Sequence, residues 1–145
     1  MTSATRSLSH AASPLSAGAL AVMAARLAAD PATAAPAGEG RRWQRLVATD
    51  AYEAWVIAWP HGTGLALHDH AGSAAGAAMV TGRLRERYRA GATGHTRWGS
   101  AGDALALPAD HAHEVLSLDG TEAVSVHVYS PPLGEVRFRA EQAIG

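Results

Sequence analysis

Two histidines separated by one residue, His68 and His70, are the clearest sign of chemistry in the sequence. They lie in a glycine-flanked stretch that covers residues 62–82. On an extended strand, residues i and i+2 point to the same face, so both imidazoles can reach one point. Imidazole is a common protein ligand for zinc, copper, iron and nickel. The pair therefore predicts a metal site.

The spacing around this pair resembles the first metal motif of the cupin barrels. Five residues separate Gly62 from His68, and one separates the two histidines. Four further residues lead from His70 to Ala75, and six more lead to Gly82. In cupins a glutamate normally stands where this chain has Ala75. The motif fits without a gap, but its fourth ligand position holds no carboxylate.

A second cupin motif is matched by the stretch that begins at Gly102. Five residues separate this glycine from Pro108, and four separate Pro108 from His113. Two positions depart from the usual pattern, because Asp110 stands where glycine is common and Ser117 where asparagine is common. Neither is a ligand position. The motif therefore nominates His113 as a third metal ligand.

The predicted ligand set is His68, His70 and His113. His111 is the alternative to His113, because it would share the same face of a strand that started early enough. The spacing from the preceding proline selects His113. His111 is then expected beside the ligands.

The composition limits the class of protein. A chain of 145 residues is the size of one domain, and a domain of this size buries roughly 70% of its unfolded surface. The absence of cysteine excludes disulfides and cysteine-ligated metal sites. A net charge of −1 argues against a nucleic-acid or anionic-membrane surface. No stretch reaches the ~18 consecutive apolar residues of a membrane span, so we expect small-molecule partners.

The first forty residues differ in composition from the rest. We expect residues 1–40 to form a helical segment and linker, and residues 41–145 to form a barrel, within one domain overall. Ser13 is the predicted N-cap and Pro14 the first helical residue, and the helix is expected to end near Asp30. A removable targeting peptide is the weaker interpretation, because an uninterrupted apolar core is missing.

From residue 42 onward the pattern changes to short strands separated by glycines. The turn-like pair Thr49-Asp50 predicts a hairpin between the first two strands. The predicted strands cover residues 42–48, 52–59, 77–80, 84–89, 93–98, 104–107, 114–118, 123–129 and 136–139. This pattern predicts a mainly β fold, a small antiparallel jelly-roll barrel with an N-terminal helical segment. Such a closed sheet can bring the two histidine motifs together.

A second set of polar residues lies on the strand predicted at 123–129. Alternation places Ser125, His127 and Tyr129 on one face and three valines on the other. A polar row that faces a barrel interior is costly to desolvate unless it is hydrogen-bonded. The row therefore predicts a relay of hydrogen bonds, and a solvent-facing row is the alternative.

Together these features resemble the bacterial members of the cysteine dioxygenase family, the cupin-fold thiol dioxygenases. The likeness covers roughly residues 42–139. It depends on the two complete cupin motifs, the missing glutamate and the Ser-x-His-x-Tyr-Ser-Pro-Pro strand. The segments that carry it are 68–70, 71–73, 80–86, 113–115 and 123–132.

The resemblance implies a non-haem Fe(II) enzyme. In that family three neutral histidines hold the iron and leave positions open for substrate and dioxygen, and here these are His68, His70 and His113. The missing carboxylate leaves the site more positive, which favours an anionic thiolate. The implied reaction oxidises L-cysteine, or a similar small thiol, with O2 to its sulfinic acid.

The resemblance also assigns roles to the polar row. Tyr129 would reach the substrate with its hydroxyl, His127 would orient Tyr129, and Ser125 would orient His127. In the animal enzymes the tyrosine is joined to a cysteine that aligns with Ala75, so this chain cannot form that cross-link. A cis Ser130–Pro131 bond is a further implication.

Substrate choice depends on an early strand. In the family an arginine in a Tyr-x-Arg pattern binds the substrate carboxylate, and enzymes of the mercaptopropionate type carry glutamine there. Trp43 and Arg45 match this pattern, so Arg45 is the predicted carboxylate ligand. A register shift by one residue would turn Gln44 inward instead. Arg41 and Arg42 are further candidates.

Two other classes of function remain open at this point. One is a cupin enzyme that uses manganese, nickel or zinc for another reaction, such as an isomerase or a different oxygenase. The other is a metal-free cupin that senses a small molecule. The Ser125-His127-Tyr129 row favours the thiol dioxygenase, since neither alternative requires it. For that enzyme we expect a cytoplasmic monomer with a small thiol and O2 as partners.

Overall fold

The computed structural model describes residues 14–134 and 136–139, and within them it has one helix and ten strands. The helix, α1, spans Ala17–Ala29. The strands are β1 Arg42–Ala48, β2 Glu53–Trp59, β3 Gly64–Asp69, β4 Ala74–Thr81, β5 Arg83–Ala90, β6 Thr93–Ser100, β7 Ala104–Leu107, β8 His113–Leu116, β9 Ala123–Ser130 and β10 Arg137–Phe138.

The strands form two five-stranded antiparallel sheets. One sheet has the order β1-β2-β9-β4-β7 and the other has the order β10-β3-β8-β5-β6. The chain crosses repeatedly between the sheets, which places β3 beside β8 although about 40 residues separate them in sequence. The mainly β antiparallel cupin barrel with an N-terminal helix is therefore confirmed.

Helix α1 starts three residues later than predicted. Ser16 is the N-cap, and its hydroxyl accepts the N–H of the residue three positions on at 3.1 Å. The predicted cap, Ser13, lies outside the described residues, and Pro14 precedes the helix instead of opening it. The reason is a long-range bond, because the Leu15 N–H donates to Ser130 Oγ at 2.8 Å. In the part of the chain that the structure describes, no helix is long and apolar enough to cross a membrane.

Helix α1 covers the outer face of the first sheet. Leu20 and Ala24 are fully buried and pack with Val126 and Val128 of β9. The helix lies so close to β4 that a Cβ at Gly76 would come within 2.1 Å of the Leu20 backbone. Because the valines are covered from outside, the polar face of β9 is turned into the barrel.

Strand ends differ from the prediction where long-range pairing decides them. β4 begins at Ala74 and not at residue 77, because its pairing with β9 continues to Ala74 opposite Ser130. β8 begins at His113 and not at residue 114, because His113 pairs with Tyr88 of β5 and also with β3. The final strand shrinks to Arg137–Phe138. The hairpin predicted at Thr49-Asp50 is present between β1 and β2.

Candidate metal centre

Three buried histidines converge between the sheets. His68 lies near the end of β3, His70 follows that strand, and His113 opens β8 directly opposite His68. Their ring centroids are 4.7 to 5.2 Å apart, and one ring nitrogen of each lies within 4.8 Å of the others. Each of the three residues is at most 3% exposed. The three predicted ligands are thus brought together at one point.

An irregularity in the pairing of β3 sets the direction of the His68 side chain. Leu65 pairs with Val115 and His68 pairs with His113, so β3 contains one more residue than β8 over this interval. Such a bulge turns the next side chain toward the other face of the sheet. A tight turn follows, in which the Ser73 N–H donates to the carbonyl of His70 at 3.1 Å.

Hydrogen bonds fix which ring nitrogens can bind a metal. The Nδ1 of His68 lies 2.7 Å from the carbonyl of Ala66, which can only accept, so this nitrogen carries the proton. The Nδ1 of His113 likewise donates to a Glu86 carboxylate oxygen at 2.7 Å. In both rings Nε2 is left deprotonated. The buried Nδ1 of His70 has no hydrogen-bond partner among the described residues.

The three imidazoles are held in the neutral form that a metal requires. Burial and the neighbouring His113 lower the pKa of His68 from 6.5 to about 4. Burial, His113 and His68 lower the pKa of His70 to about 3. Burial is also the main cause that lowers the pKa of His113, against the opposing effect of Glu86. At neutral pH all three rings therefore have a lone pair available for a cation.

This donor set fits a divalent transition metal. Three imidazole nitrogens suit iron, zinc, copper or nickel, and the unpartnered nitrogen of His70 is the kind of buried polar atom that a bound ion satisfies. Ala75 stands where a cupin usually has its ligand glutamate, and it pairs directly opposite Tyr129. Three ligands leave open positions for substrate molecules.

The polar row of β9 lies on the inner face, beside the histidines. Ser125, His127 and Tyr129 are each at most 7% exposed. Ser125 Oγ is 2.8 Å from His127 Nε2 and accepts the indole N–H of Trp59 at 2.9 Å. The Tyr129 ring stacks on His127 at 6.2 Å and lies 5.4 Å from the His70 ring. The solvent-facing alternative for this row is therefore wrong.

Burial controls the protonation of this row. It lowers the pKa of His127 to about 3, so the imidazole is neutral. It also raises the pKa of Tyr129, with a further increase from Glu53, so the phenol keeps its proton at neutral pH. A protonated phenol can donate a hydrogen bond to a substrate atom. The Ser130–Pro131 bond that follows is cis.

His111 lies behind the three ligands. Its ring centroid is 5.1 Å from that of His113, and its Nε2 is 3.6 Å from a Glu86 oxygen. Together Glu86, His111 and His113 form a second group with ligand atoms within 4.8 Å of one another. His113, and not His111, belongs to the group that contains the histidine pair of β3.

Arg41, which precedes β1, lies on the same side of the site as Tyr129. Its guanidinium carbon lies 4.8 Å from the Trp43 ring and 5.3 Å from the Trp59 ring. Burial lowers its pKa, and the neighbouring Tyr129 opposes that shift. The side chain of Arg45 is 54% exposed and lies 3.8 Å from Glu53.

The register of β1 determines the position of the glutamine. Gln44 pairs with Val56, which in turn pairs with Val126 of the face that α1 covers. Trp43 pairs with Ile57 of the inner face. The register that would turn Gln44 inward does not occur.

A cavity of about 390 Å³ adjoins the site. Its wall includes Arg41, Glu53, Trp55, Tyr129 and Phe138. This volume is typical of a small-molecule site. A smaller cavity of about 40 Å³ lies between the sheets on the side of His113 and His127 and has room for little more than water. Of these two cavities, only the larger has room for a small substrate.

The C-terminal strand closes one side of this cavity. Asp69, between His68 and His70, accepts hydrogen bonds from Arg137 at 2.8 Å and Arg139 at 3.0 Å. Burial alone would raise the pKa of Asp69, but the bonds from Arg137 and from the Ala71 N–H lower it to about 2. Phe138 is thereby placed 6.2 Å from the His68 ring.

Sequence reasoning gave no role to several residues of the site. Trp59 is one of them, and its indole N–H donates a hydrogen bond to Ser125 Oγ. Glu86 was part of the family-like segment 80–86, and only the pairing of β5 with β8 reveals its contact with His113. Arg41 was one of two further candidates beside Arg45 for binding the carboxylate. The signal for Asp69 was its place between His68 and His70.

Comparisons with known proteins agree with this geometry. The family profile of cysteine dioxygenase type I matches residues 34–141. No curated protein is similar enough in sequence to count as a relative.

Solved structures resemble the barrel. An oxalate oxidase has a TM-score of 0.61 and 18% identity over 71% of this chain and 59% of that chain. KdgF from Halomonas sp. has a TM-score of 0.57 and 20% identity over 63% of this chain and 79% of that chain. A protein with a double-stranded beta-helix domain from Klebsiella pneumoniae subsp. pneumoniae MGH 78578 has a TM-score of 0.61 and 15% identity over 73% of this chain and 90% of that chain.

These structural likenesses bear on the fold alone, because the sequence identities are low. The aligned part spans 59% of the oxalate oxidase chain. The conclusion about function therefore depends on the family profile and on the residues of the site.

Proposed function

Because the chain belongs to the cysteine dioxygenase type I family, we propose that it is a non-haem Fe(II) thiol dioxygenase that oxidises L-cysteine to its sulfinic acid. The observation that carries this proposal is the convergence of three buried, neutral histidines beside a cavity walled by Arg41 and Tyr129. His68, His70 and His113 would hold the iron through imidazole nitrogen. When bound, the iron would supply the redox chemistry that lets a thiolate react with O2.

The reaction balances without a further cofactor. Both atoms of one O2 molecule are added to one thiol, RSH + O2 → RSO2H. The sulfur loses four electrons and dioxygen gains four. The protein contributes by holding the thiol and O2 close together in a site that excludes bulk water.

Tyr129 and its neighbours would hold the substrate for this step. The buried phenol stays protonated and donates a hydrogen bond toward the substrate, on the side of His70. His127 stacks on Tyr129 and limits its movement, and Ser125 holds His127 through the bond to Nε2. The Trp59 N–H occupies one lone pair of Ser125 Oγ, which leaves the hydroxyl proton available for His127.

The charges of the cavity support an amino acid as substrate. Arg41 would bind the carboxylate in place of Arg45, because Arg41 lines the cavity and Arg45 does not. Glu53 lines the same cavity, is 6% exposed, and would face the ammonium group. A wall with one cation and one anion suits a zwitterion better than 3-mercaptopropionate. The outward position of Gln44 removes the feature that would favour the latter.

The test is oxygen uptake after anaerobic loading with Fe(II). We would compare L-cysteine, 3-mercaptopropionate, cysteamine and no thiol, and identify products by mass. The proposal predicts stoichiometric uptake with L-cysteine, slower uptake with the other thiols, and none in His113→Ala. His61→Ala is the matched control, because His61 is an exposed histidine of a turn outside the site.

Two results would count against the proposal. Oxygen uptake with 3-mercaptopropionate alone would mean that this thiol, and not L-cysteine, is the substrate. No uptake with any thiol despite bound iron would refute the proposed reaction. For the active protein we propose a cytoplasmic monomer. Size-exclusion chromatography of the loaded enzyme would check that it is a monomer.

A further inference from the structure

A buried carboxylate, Glu86, lies directly behind one of the three converging histidines. The residue is 6% exposed and belongs to β5, which contributes none of the proposed metal ligands. A buried carboxylate is costly unless it is paired and hydrogen-bonded. The contacts of Glu86 therefore show what it is placed to do.

Strand pairing brings three basic side chains to Glu86. Arg97 of β6 is its direct cross-strand partner, and the Arg97 Nε donates to Oε1 at 2.6 Å. On the other side Glu86 pairs with Val115 of β8, so His113, two residues along, shares its face. The His113 Nδ1 donates to Oε2 at 2.7 Å, and the His111 Nε2 lies 3.6 Å from the same oxygen.

These contacts fix the position of the Glu86 carboxylate, because each of its oxygens accepts a hydrogen bond. The Arg97 guanidinium also lies over the Tyr88 ring at 4.5 Å, which limits its movement. One oxygen of Glu86 is thus occupied by arginine and the other is committed to His113.

We infer that Glu86 is a positioning residue that selects the tautomer of His113 and aims its Nε2 at the point where His68 and His70 converge. A carboxylate on Nδ1 keeps the proton there and makes Nε2 a better electron donor to a metal. The β5–β6 hairpin then acts on the His113 ring through the Glu86 carboxylate. This inference depends on the metal site of the proposed function.

A second metal ion held by Glu86, His111 and His113 is the competing explanation. Their ligand atoms lie within 4.8 Å of one another. The Arg97 guanidinium argues against it, because a cation at hydrogen-bond distance from the carboxylate would repel a second cation. A count of bound ions separates the two explanations.

The experiment uses Glu86→Gln, which keeps the size of the side chain and an acceptor for His113 while removing the charge. Cobalt(II) is titrated into metal-free protein without thiol or oxygen, with a chelator as competitor and the visible spectrum as readout. We expect one ion per chain in both proteins and roughly 10–100-fold weaker binding in the variant. The cobalt spectrum of Glu86→Gln should also be shifted.

Glu114→Gln is the matched control. Glu114 is next to His113 in sequence and also pairs with an arginine, because one of its oxygens lies 3.1 Å from Arg87. It is partly exposed and is not a partner of the His113 ring. Cobalt affinity in this variant should stay within about twofold of the wild type, since the carboxylate lost makes only a surface ion pair.

Nitrogen NMR of the histidine rings in metal-free protein gives a second readout. In the wild type His113 should be the Nδ1–H tautomer, and Glu86→Gln should show a mixture.

A wild-type His113 protonated at Nε2, unchanged affinity in Glu86→Gln, or two ions in the wild type and one in the variant would each overturn the inference. Wild-type protein that binds cobalt but oxidises no thiol would refute the proposed reaction alone. Wild-type protein that binds no cobalt would refute the metal site and this inference together.

Discussion

Arg41 and Arg45 differ in what their guanidinium groups can reach. Arg45 of β1 pairs with Trp55, whereas Arg41 precedes the strand by one residue and lines the cavity beside Tyr129. The guanidinium of Arg45 lies 3.8 Å from Glu53. The sequence pattern favoured Arg45, because local spacing cannot show where β1 begins relative to Trp59.

The residue-scale prediction compares these two arginines. Arg41→Gln should raise the KM for L-cysteine by roughly 10–100-fold, since a charge-assisted bond to a carboxylate is worth about 1.5–3 kcal/mol. The rate with cysteamine, which has no carboxylate, should change little. Steady-state oxygen uptake measures both effects, and Arg45→Gln is the control, expected within about threefold of the wild type. A larger increase in KM for Arg45→Gln than for Arg41→Gln would show that Arg45, and not Arg41, binds the substrate carboxylate.

The three converging histidines could be predicted from sequence, because the spacing within each motif is local. One residue separates His68 from His70, and the Pro108 spacing selected His113 over His111. The supporting residues could not be predicted in the same way. The contacts of Glu86 with His113 and of Trp59 with Ser125 cross between strands that are far apart in the chain.

At the scale of elements, the docking of α1 decides which face of β9 points inward. Gly76 of β4 admits the helix backbone, and Leu20 lies against it. Most strand positions were predictable because valine alternation and glycines mark them, but β3 was not among the predicted strands. The start of the helix was not, because it depends on the bond between Leu15 and Ser130 across the fold.

Gly76→Ala tests this docking. The added Cβ would come within 2.1 Å of the Leu20 backbone, so the helix must shift, and we expect a loss of about 1–3 kcal/mol in the free energy of unfolding. Gly18→Ala is the control, because Gly18 is an exposed residue of α1 with no atom within 4 Å of an added Cβ. That change should stabilise the protein by about 0.5–1 kcal/mol. Equal stability of Gly76→Ala and wild type in urea titrations would show that the helix does not dock on β4.

The whole molecule carries several buried histidines in the neutral form, and this sets its response to acid. Burial is the largest cause that lowers the pKa of His68 to about 4, and those of His70 and His127 to about 3. In the unfolded chain these rings bind protons near pH 6.5. Between about pH 6.5 and 4 the unfolded state therefore binds more protons than the folded state, and stability falls as the pH falls.

The resulting prediction concerns metal-free protein. Each histidine that stays neutral in the folded state should lower the unfolding free energy by about 1.4 kcal/mol per pH unit below its unfolded pKa. Urea midpoints at pH 7, 6 and 5, at constant ionic strength, measure this slope. Identical midpoints at pH 7 and pH 5 would mean that the rings are not held neutral. Asp69 adds to the loss only below about pH 4, since its pKa is lowered to about 2.

The most direct test of the central claim is the reaction of Fe(II)-loaded protein with L-cysteine under ¹⁸O2. If three histidines hold an iron that serves a thiol dioxygenase, cysteine sulfinic acid should form with both oxygen atoms labelled, and His113→Ala should form none. A sulfinic acid that carries label from water, or oxidation that stops at the disulfide at the same rate in His113→Ala, would contradict the account.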